Sequence, residues 1–190
     1  MTDSLAARLA GYDAVVYDLD GTLVDLPVDW AAVADAVLDV YAERGVDPPS
    51  EELWELLEAA GDLGVGAPVE EAIARRERSG ARESTRLPLA DRLAGPSPDG
   101  APAHPPAGVC SLNCEAACRI AVETHGLADA VVADAIVGRD TVGSRKPDPE
   151  SLLAAVERLD AEPAAALFVG DSQRDAVAAE RGGVDFAWAS

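Results

Sequence analysis

The amino-acid sequence predicts an α/β fold, a doubly wound parallel sheet with a small inserted α-helical segment. Three observations lead to this prediction. Short apolar runs alternate with helical patterns along most of the chain, which is the order of a parallel sheet with helices on both faces. Residues 26–93 break the alternation, because they carry helical patterns alone. Residues 94–107 are rich in proline and glycine and predict an exposed linker back to the sheet.

The elements of the sheet follow from the apolar runs and the patterns between them. The predicted strands are residues 13–19, 108–112, 130–137, 165–169 and, more weakly, 184–188. The predicted helices are residues 113–125, 150–159 and 172–181, the last ending at Gly182. We therefore expect one core formed by residues 1–25 and 94–190, with residues 26–93 as a separate helical insertion.

Within the insertion, helical patterns cover residues 29–44, 50–60 and 69–86, and Asp29 and Ser50 occupy candidate N-cap positions. Aromatic residues at helical spacing predict a small core of its own; they are Trp30, Tyr41 and Trp54. An arginine cluster is interleaved with glutamates, which favours a solvated, salt-bridged helix over an anion-binding site. The cluster comprises Arg75, Arg76, Arg78, Arg82 and Arg86.

Composition excludes several classes of function. The chain has 190 residues and a formal net charge of −20, so binding of nucleic acid through a basic face is excluded. Neither an apolar run of about 18 residues nor a secretory signal is present, which predicts a cytoplasmic protein without a membrane span. Cys110, Cys114 and Cys118 read as reduced, buried thiols. The sequence leaves the oligomeric state open.

The basic residues are almost all arginine, and Lys146 is the single lysine. Together with the acid excess, this composition resembles that of proteins from haloarchaea, in which acidic surfaces are screened by salt. High-salt dependence is therefore expected. In such a chain, the one remaining lysine is expected to have a role that arginine cannot fill.

The first candidate site is Asp18-Leu19-Asp20-Gly21-Thr22, at the end of the first strand. Residues two apart in an extended segment project to one side, so Asp18 and Asp20 can face one pocket. One carboxylate can act as a nucleophile and the other as an acid or base, while Gly21 permits a sharp turn. The alternative is an acidic turn without catalytic function.

The second candidate site follows the fourth predicted strand, where Asp171 and Asp175 occur in GDSQRD. Carboxylates in this position suit Mg²⁺, whose coordination is completed by water and phosphate oxygens. A capped helix without a metal is the alternative, because Asp171 is also a good N-cap residue.

Two further residues support a phosphate site at the same edge of the sheet. Ser111 ends the second predicted strand, and Lys146 precedes a helix. A hydroxyl and an ammonium can bind and neutralise phosphate oxygens. The alternatives are an ordinary small residue for Ser111 and a solvated amine for Lys146.

These motifs, in this order, resemble those of the haloacid dehalogenase-like hydrolases, which are mostly phosphatases. The DxDGT motif of that superfamily matches Asp18 to Thr22, its Ser/Thr motif matches Ser111, its lysine matches Lys146, and its GDxxxD motif matches Gly170 to Asp175. The usual Thr/Ser-Asn pair appears here as Ser111-Leu112-Asn113. An acid at position 20 favours phosphoryl transfer over dehalogenation.

The resemblance implies a mechanism and a set of site residues. Asp18 is the implied nucleophile, Asp20 the acid and base, and Ser111 and Lys146 the groups that hold the phosphoryl group. The implied Mg²⁺ ligands are Asp18, Asp20 through its carbonyl, Asp171 and Asp175. The insertion resembles the small helical cap of the phosphoglycolate phosphatase-like branch, which favours a small phosphorylated substrate.

Two other functions remain open at this stage. A phosphomutase of the β-phosphoglucomutase type would return the phosphoryl group to substrate instead of water, and would depend on a bisphosphate activator. A phosphate-binding regulatory protein with an inactive site is the alternative that involves no enzyme. The residues of the motifs favour the phosphatase, because every expected catalytic residue type is present.

Overall fold

A computed structural model describes residues 8–95 and 104–189 of the chain. The strands, in chain order, are β1 (Ala14–Tyr17), β2 (Val24–Asp25), β3 (Thr85–Arg86), β4 (Ala107–Cys110), β5 (Val131–Val137), β6 (Ala166–Gly170) and β7 (Asp185–Trp188). The helices are α1 (Trp30–Glu43), α2 (Leu53–Ala60), α3 (Gly66–Glu83), α4 (Pro88–Leu93), α5 (Glu115–Thr124), α6 (Glu150–Arg158) and α7 (Gln173–Gly182). None of these helices is long and apolar enough to cross a bilayer.

Five of the strands form one sheet in the order β5-β4-β1-β6-β7, and every neighbouring pair in it is parallel. Alternate residues of β1 enter two different hydrophobic clusters, Val15 and Tyr17 on one face and Ala14 and Val16 on the other. Burial on both faces explains why this strand reads as a continuous apolar run. The predicted doubly wound parallel sheet is confirmed.

The helices α1, α2 and α3, which we call the helical lobe, share a third hydrophobic cluster that includes Val33, Tyr41, Leu56 and Ile73. The Tyr41 hydroxyl donates a hydrogen bond to the Leu56 carbonyl oxygen at 2.7 Å. Because this cluster is separate from the two beside the sheet, the lobe has a small core of its own.

Of the two N-cap residues predicted for the lobe, one is confirmed and the other is wrong. Asp29 caps α1 and accepts a hydrogen bond from the Ala32 amide at 3.1 Å. The predicted cap at Ser50 is wrong, because α2 begins at Leu53 after Glu52. The Ser50 hydroxyl instead accepts from the Glu52 amide at 3.0 Å, which closes a local turn before the helix.

Two short strands join the lobe to the sheet, and the sequence did not predict them. Val24 pairs with Arg86 and Asp25 with Thr85 in an antiparallel ladder. The ladder brings together the segment that enters the lobe and the segment that leaves it. The predicted linker is only partly described, since residues 96–103 lie outside the described ranges and residue 107 already begins β4.

Candidate active site

The candidate site lies at the carboxyl end of β1. The strands β4 and β6 flank β1 on opposite sides, so the chain crosses in opposite directions there and leaves a crevice at the strand ends. Asp18 follows β1, Ser111 follows β4 and Asp171 follows β6. These three residues, with Asp20 and Lys146, line one cavity of about 240 Å³. The sequence motifs, widely separated along the chain, therefore meet in one place.

Lys146 is the centre of the buried hydrogen-bond network. Its Nζ donates to Asp18 Oδ1 at 2.8 Å, to Asp175 Oδ1 at 2.5 Å and to the Cys110 carbonyl oxygen at 3.1 Å. The Lys146 side chain is only 2% exposed. Burial opposes its charged form, but Asp18 and the other acceptors outweigh burial and raise the Lys146 pKa above its usual range. The ammonium is therefore a fixed positive charge beside Asp18.

Asp18 is a buried carboxylate next to that charge. Burial raises the pKa of Asp18 to about 6, against the attraction of Lys146, while the negative charge of Asp175 also raises it. Asp18 is therefore ionised at neutral pH. An ionised carboxylate with little hydration is suited to nucleophilic attack.

Asp20 differs from Asp18 in its surroundings. Its Oδ1 accepts a hydrogen bond from the Leu26 amide at 2.8 Å, which orients the carboxyl group. Burial raises the pKa of Asp20, so this carboxyl group retains a proton more readily than a solvated aspartate. Two nearby carboxyl groups with different environments can take different roles, one as nucleophile and one as acid.

Gly21 is required for the close approach of these loops. It has a φ of +79°, and a Cβ at this position would clash with the Asp171 carboxylate. Glycine permits both the left-handed backbone and the approach of Asp171 to the turn after β1.

The acidic side chains also offer a possible cation site. One carboxylate oxygen from each of Asp18, Asp171 and Asp175 lies within 4.8 Å of the others. With Asp20, four carboxyl groups lie at this end of the sheet beside the single ammonium of Lys146, an excess of negative charge that suits a divalent cation with oxygen ligands. Asp171 is exposed to the cavity, and burial with the charge of Asp175 raises its pKa.

Asp175 is already bound by protein groups. Its Oδ1 accepts from Lys146, while its Oδ2 accepts from the Ser172 amide at 3.0 Å and from the Ser172 hydroxyl at 2.6 Å. The alternative in which Asp171 is only an N-cap does not hold, because Ser172 caps α7 and forms a capping box with Asp175. Asp175 therefore holds Lys146 and the helix start in place, and its side chain is fully buried.

Ser111 and Asn113 form the opposite wall of the cavity. The Ser111 hydroxyl accepts from the Asn113 amide at 3.1 Å, which fixes the turn after β4. The Asn113 side chain is buried, and its Nδ2 has no hydrogen-bond partner among the described residues. An unpaired buried amide is costly, and Asn113 also lines the cavity.

The comparisons with known proteins agree with this geometry. A family model described as haloacid dehalogenase-like hydrolase matches residues 106–189. A phosphoglycolate phosphatase of Rhodospirillum rubrum is 35% identical over 191 residues, which span 90% of this chain and 76% of that protein. The chain belongs to the haloacid dehalogenase-like hydrolases, in their phosphoglycolate phosphatase-like family. It is therefore an enzyme, and the names of its relatives support a phosphatase.

A second relative and a solved structure also match this chain. An N-acetylmuramic acid 6-phosphate phosphatase of Pseudomonas putida is 30% identical, with 85% of this chain and 75% of that protein covered. The solved structure of CbbY from Rhodobacter sphaeroides in complex with phosphate matches with a TM-score of 0.62 and 23% identity. The match covers 93% of this chain and 85% of the CbbY chain. At this sequence identity, the likeness shows the fold alone.

Trp30 and Trp54 also line the cavity of the candidate site in this hydrolase. The sequence predicted them only as part of the core of the lobe. Trp30 and Trp54 pack against the lobe cluster, and their ring centroids are 6.0 Å apart. Both also form part of the cavity wall. The helical spacing predicted that both tryptophans pack in the lobe. Their second contact, with the cavity beside the sheet, depends on how the lobe packs against the sheet.

The arginine cluster is only partly paired with acidic residues: Arg75, Arg78 and Arg86 form ion pairs, whereas Arg76 and Arg82 form none within the described residues. Arg78 binds Glu71 at 2.7 Å, and Arg86 binds Asp91 at 2.8 Å. None of the five arginines lines the active-site cavity.

A buried ion pair joins the lobe of the hydrolase to the loop that carries Ser111. Arg139, which follows β5, binds Glu77 of α3 at 2.5 Å and donates to the Leu112 carbonyl oxygen at 2.9 Å. Glu77 also accepts from the Cys114 amide at 3.0 Å. The side chains of Arg139 and Glu77 are 1% and 0% exposed. Through these two backbone contacts, the pair positions residues 111–114.

We expect Arg139→Met to lower the free energy of unfolding by about 3–5 kcal/mol, because Glu77 would be left buried without its countercharge. Chemical denaturation measures this change. The matched control is Arg75→Met, which breaks the exposed Arg75–Glu71 pair and is expected to cost about 1 kcal/mol or less. Equal losses in the two variants would contradict a structural role for the buried pair.

Proposed function

We propose that the chain is a Mg²⁺-dependent phosphatase that hydrolyses a small phosphorylated metabolite through a phosphoryl group carried on Asp18. The observation that carries this proposal is the placement of Asp18, at 2.8 Å from the buried ammonium of Lys146, on the wall of a cavity shared with Asp20 and Asp171. Phosphoglycolate is the first candidate substrate, because the Rhodospirillum rubrum relative is named for it.

In the first step, an Asp18 carboxylate oxygen attacks the phosphorus and the bond from phosphorus to the ester oxygen breaks. The Asp20 carboxyl group gives its proton to the departing alkoxide, which leaves as the alcohol. Asp18 now carries the phosphoryl group. Burial raises the pKa of Asp20, and this direction favours the protonated form that a general acid needs.

In the second step, the ionised Asp20 takes a proton from a water molecule, and the water oxygen attacks the phosphorus of the aspartyl phosphate. The bond from phosphorus to Asp18 breaks, and inorganic phosphate leaves. Both residues return to their initial protonation states. Lys146 and the hydroxyl of Ser111 stabilise the charge on the phosphoryl oxygens.

The acidic groups support a Mg²⁺ site held by the side chains of Asp18 and Asp171 and by the backbone carbonyl of Asp20. Asp175 supports this site without binding the ion, because its oxygens already accept hydrogen bonds from Lys146 and Ser172. When bound, the ion supplies positive charge to the phosphoryl oxygens. The resemblance of the motifs implied that Asp175 is a ligand, whereas its hydrogen bonds to Lys146 and Ser172 favour a supporting role.

We also propose that residues 26–93 act as a cap over a core made of residues 1–25 and 94–190. The presence of Trp30 and Trp54 in the cavity wall supports this division. A cap that closes over the cavity excludes water and favours small substrates.

Phosphate release from a panel of phosphoesters tests the proposed function. The panel contains phosphoglycolate, N-acetylmuramic acid 6-phosphate and ethyl phosphate, and the assay includes high salt because of the net charge of −20. We expect phosphate release from at least one of them. Transfer to a second substrate molecule without phosphate release would favour the mutase, and binding without either reaction would favour a regulatory protein.

Metal dependence is tested in the same assay. We expect a chelator to abolish activity and Mg²⁺ to restore it, and Asp171→Asn to raise the Mg²⁺ concentration for half-maximal activity at least about tenfold, as losses around metal sites typically do. Asp39→Asn, an exposed change on α1, is the control and should leave this concentration unchanged. Full activity after chelation would contradict the metal site.

A further inference from the structure

A second cavity lies beside the active-site cavity and has a volume of about 260 Å³. The two cavities share Trp54, Leu112 and Lys146 as lining residues. The two cavities are therefore direct neighbours. The proposed mechanism uses nothing in this second cavity except Lys146.

The second cavity carries two arginines, Arg145 and Arg174. Within residues 8–95 and 104–189, neither guanidinium forms a hydrogen bond or an ion pair with a protein group. Arg174 lies over the Trp54 ring, 5.8 Å from its centroid, and this contact leaves its N–H groups free to donate. Arg145 is half-buried.

The charge balance of the second cavity favours an anion. Its wall has one acidic residue, Glu58, against the two arginines, and the charge of Lys146 is already shared between Asp18 and Asp175. Arg145, which is half-buried, and Arg174, which is exposed, therefore give this cavity wall an excess of positive charge in a chain of net charge −20. By contrast, Arg78 of α3 and Arg86 of β3 form ion pairs with acidic neighbours.

We propose that Arg145 and Arg174 bind a second anionic group of the substrate, a carboxylate or a second phosphate, while its phosphoryl group lies at Asp18. The planar guanidinium donates two parallel hydrogen bonds to either group. This inference rests on the proposed phosphatase function and adds a substrate class to it. The enzyme selects phosphoesters with two separated negative groups over singly anionic phosphoesters of similar size.

The test compares kcat/KM for three substrates at constant ionic strength. Phosphoglycolate carries a carboxylate, propanediol bisphosphate carries a second phosphate, and ethyl phosphate carries neither. In Arg145→Gln and Arg174→Gln we expect kcat/KM for at least one doubly anionic substrate to fall about 10- to 100-fold, the usual loss for a charged hydrogen bond. The value for ethyl phosphate should change less than about threefold, since one rim charge contributes little by itself.

The matched control is Arg44→Gln, which removes an exposed arginine that lines neither cavity and should leave all three values unchanged. The substrate with the larger loss identifies the second group as carboxylate or phosphate. Equal losses for all three substrates, or no loss, would overturn the proposal.

Binding measurements separate this proposal from the proposed function. In the Asp18→Asn protein, which we expect to be inactive, calorimetry gives the affinity for phosphoglycolate and for ethyl phosphate. We expect phosphoglycolate to bind more tightly, and Arg174→Gln or Arg145→Gln to remove most of that difference. If wild-type protein hydrolyses no ester, the phosphatase proposal fails; if the two ligands bind equally, the second-anion proposal fails, whatever the hydrolysis result.

Discussion

Asp18→Asn is expected to lower kcat for phosphate release at least about a thousandfold, as loss of a covalent nucleophile does in other hydrolases. The amide keeps the shape of the side chain but cannot attack phosphorus as a carboxylate. Lys146 retains Asp175 as a partner at 2.5 Å, so the variant should fold. Phosphate release under saturating substrate measures the loss, and a thermal melt verifies folding.

The matched control for this variant is Asp13→Asn. Asp13 is exposed and lies next to the opposite end of β1, so the same chemical change there should leave kcat within about twofold, as is usual for surface substitutions. A folded Asp18→Asn protein with kcat within tenfold of wild type would show that another group is the nucleophile.

The second large effect is expected at Lys146. Lys146→Met removes the countercharge of two buried carboxylates, and we expect a loss of about 3–5 kcal/mol in the free energy of unfolding. We also expect a fall in kcat/KM of at least about a hundredfold, since removal of one donor to a developing charge typically has that effect. Chemical denaturation and steady-state kinetics measure the two losses.

Lys146→Arg distinguishes shape from charge at this position. The three acceptors of Lys146 lie within 3.1 Å of one nitrogen atom, which suits a compact ammonium and not a planar guanidinium. We expect kcat/KM to fall at least about a hundredfold although the charge remains. The opposite exchange at an exposed site, Arg44→Lys, should have no effect. Wild-type activity in Lys146→Arg would refute a specific requirement for lysine.

The parts of the structure that the sequence predicted are those with a local signal. Buried strands appear as apolar runs, and the residues at their carboxyl ends converge because parallel strands end at the same edge of the sheet. The sequence therefore identified Asp18, Ser111 and Asp171 as neighbours. Asn113 was noticed only as a departure from a motif, and its buried Nδ2 without a hydrogen-bond partner becomes visible only in the structure.

The parts that the sequence did not predict depend on long-range packing. The two-residue strands β2 and β3 are too short to show a period. The Glu77–Arg139 pair joins residues 62 positions apart, and nothing in the local sequence around either residue indicates the other. The same holds for Arg145, Arg174 and Trp54, which meet only because α2 of the lobe packs near the loop after β5 and the start of α7.

The central claim is that the phosphoryl group passes through Asp18, and chemical trapping tests it most directly. Asp20→Asn is given an aryl phosphate, whose leaving group needs no protonation, so Asp18 should react while the attack of water is slowed. Borohydride reduction after quenching converts an aspartyl phosphate to homoserine, which peptide mass spectrometry locates. We predict homoserine at position 18 and a burst of one phenol per active site. A steady release of phenol with Asp18 unmodified, or homoserine at another position, would contradict the account.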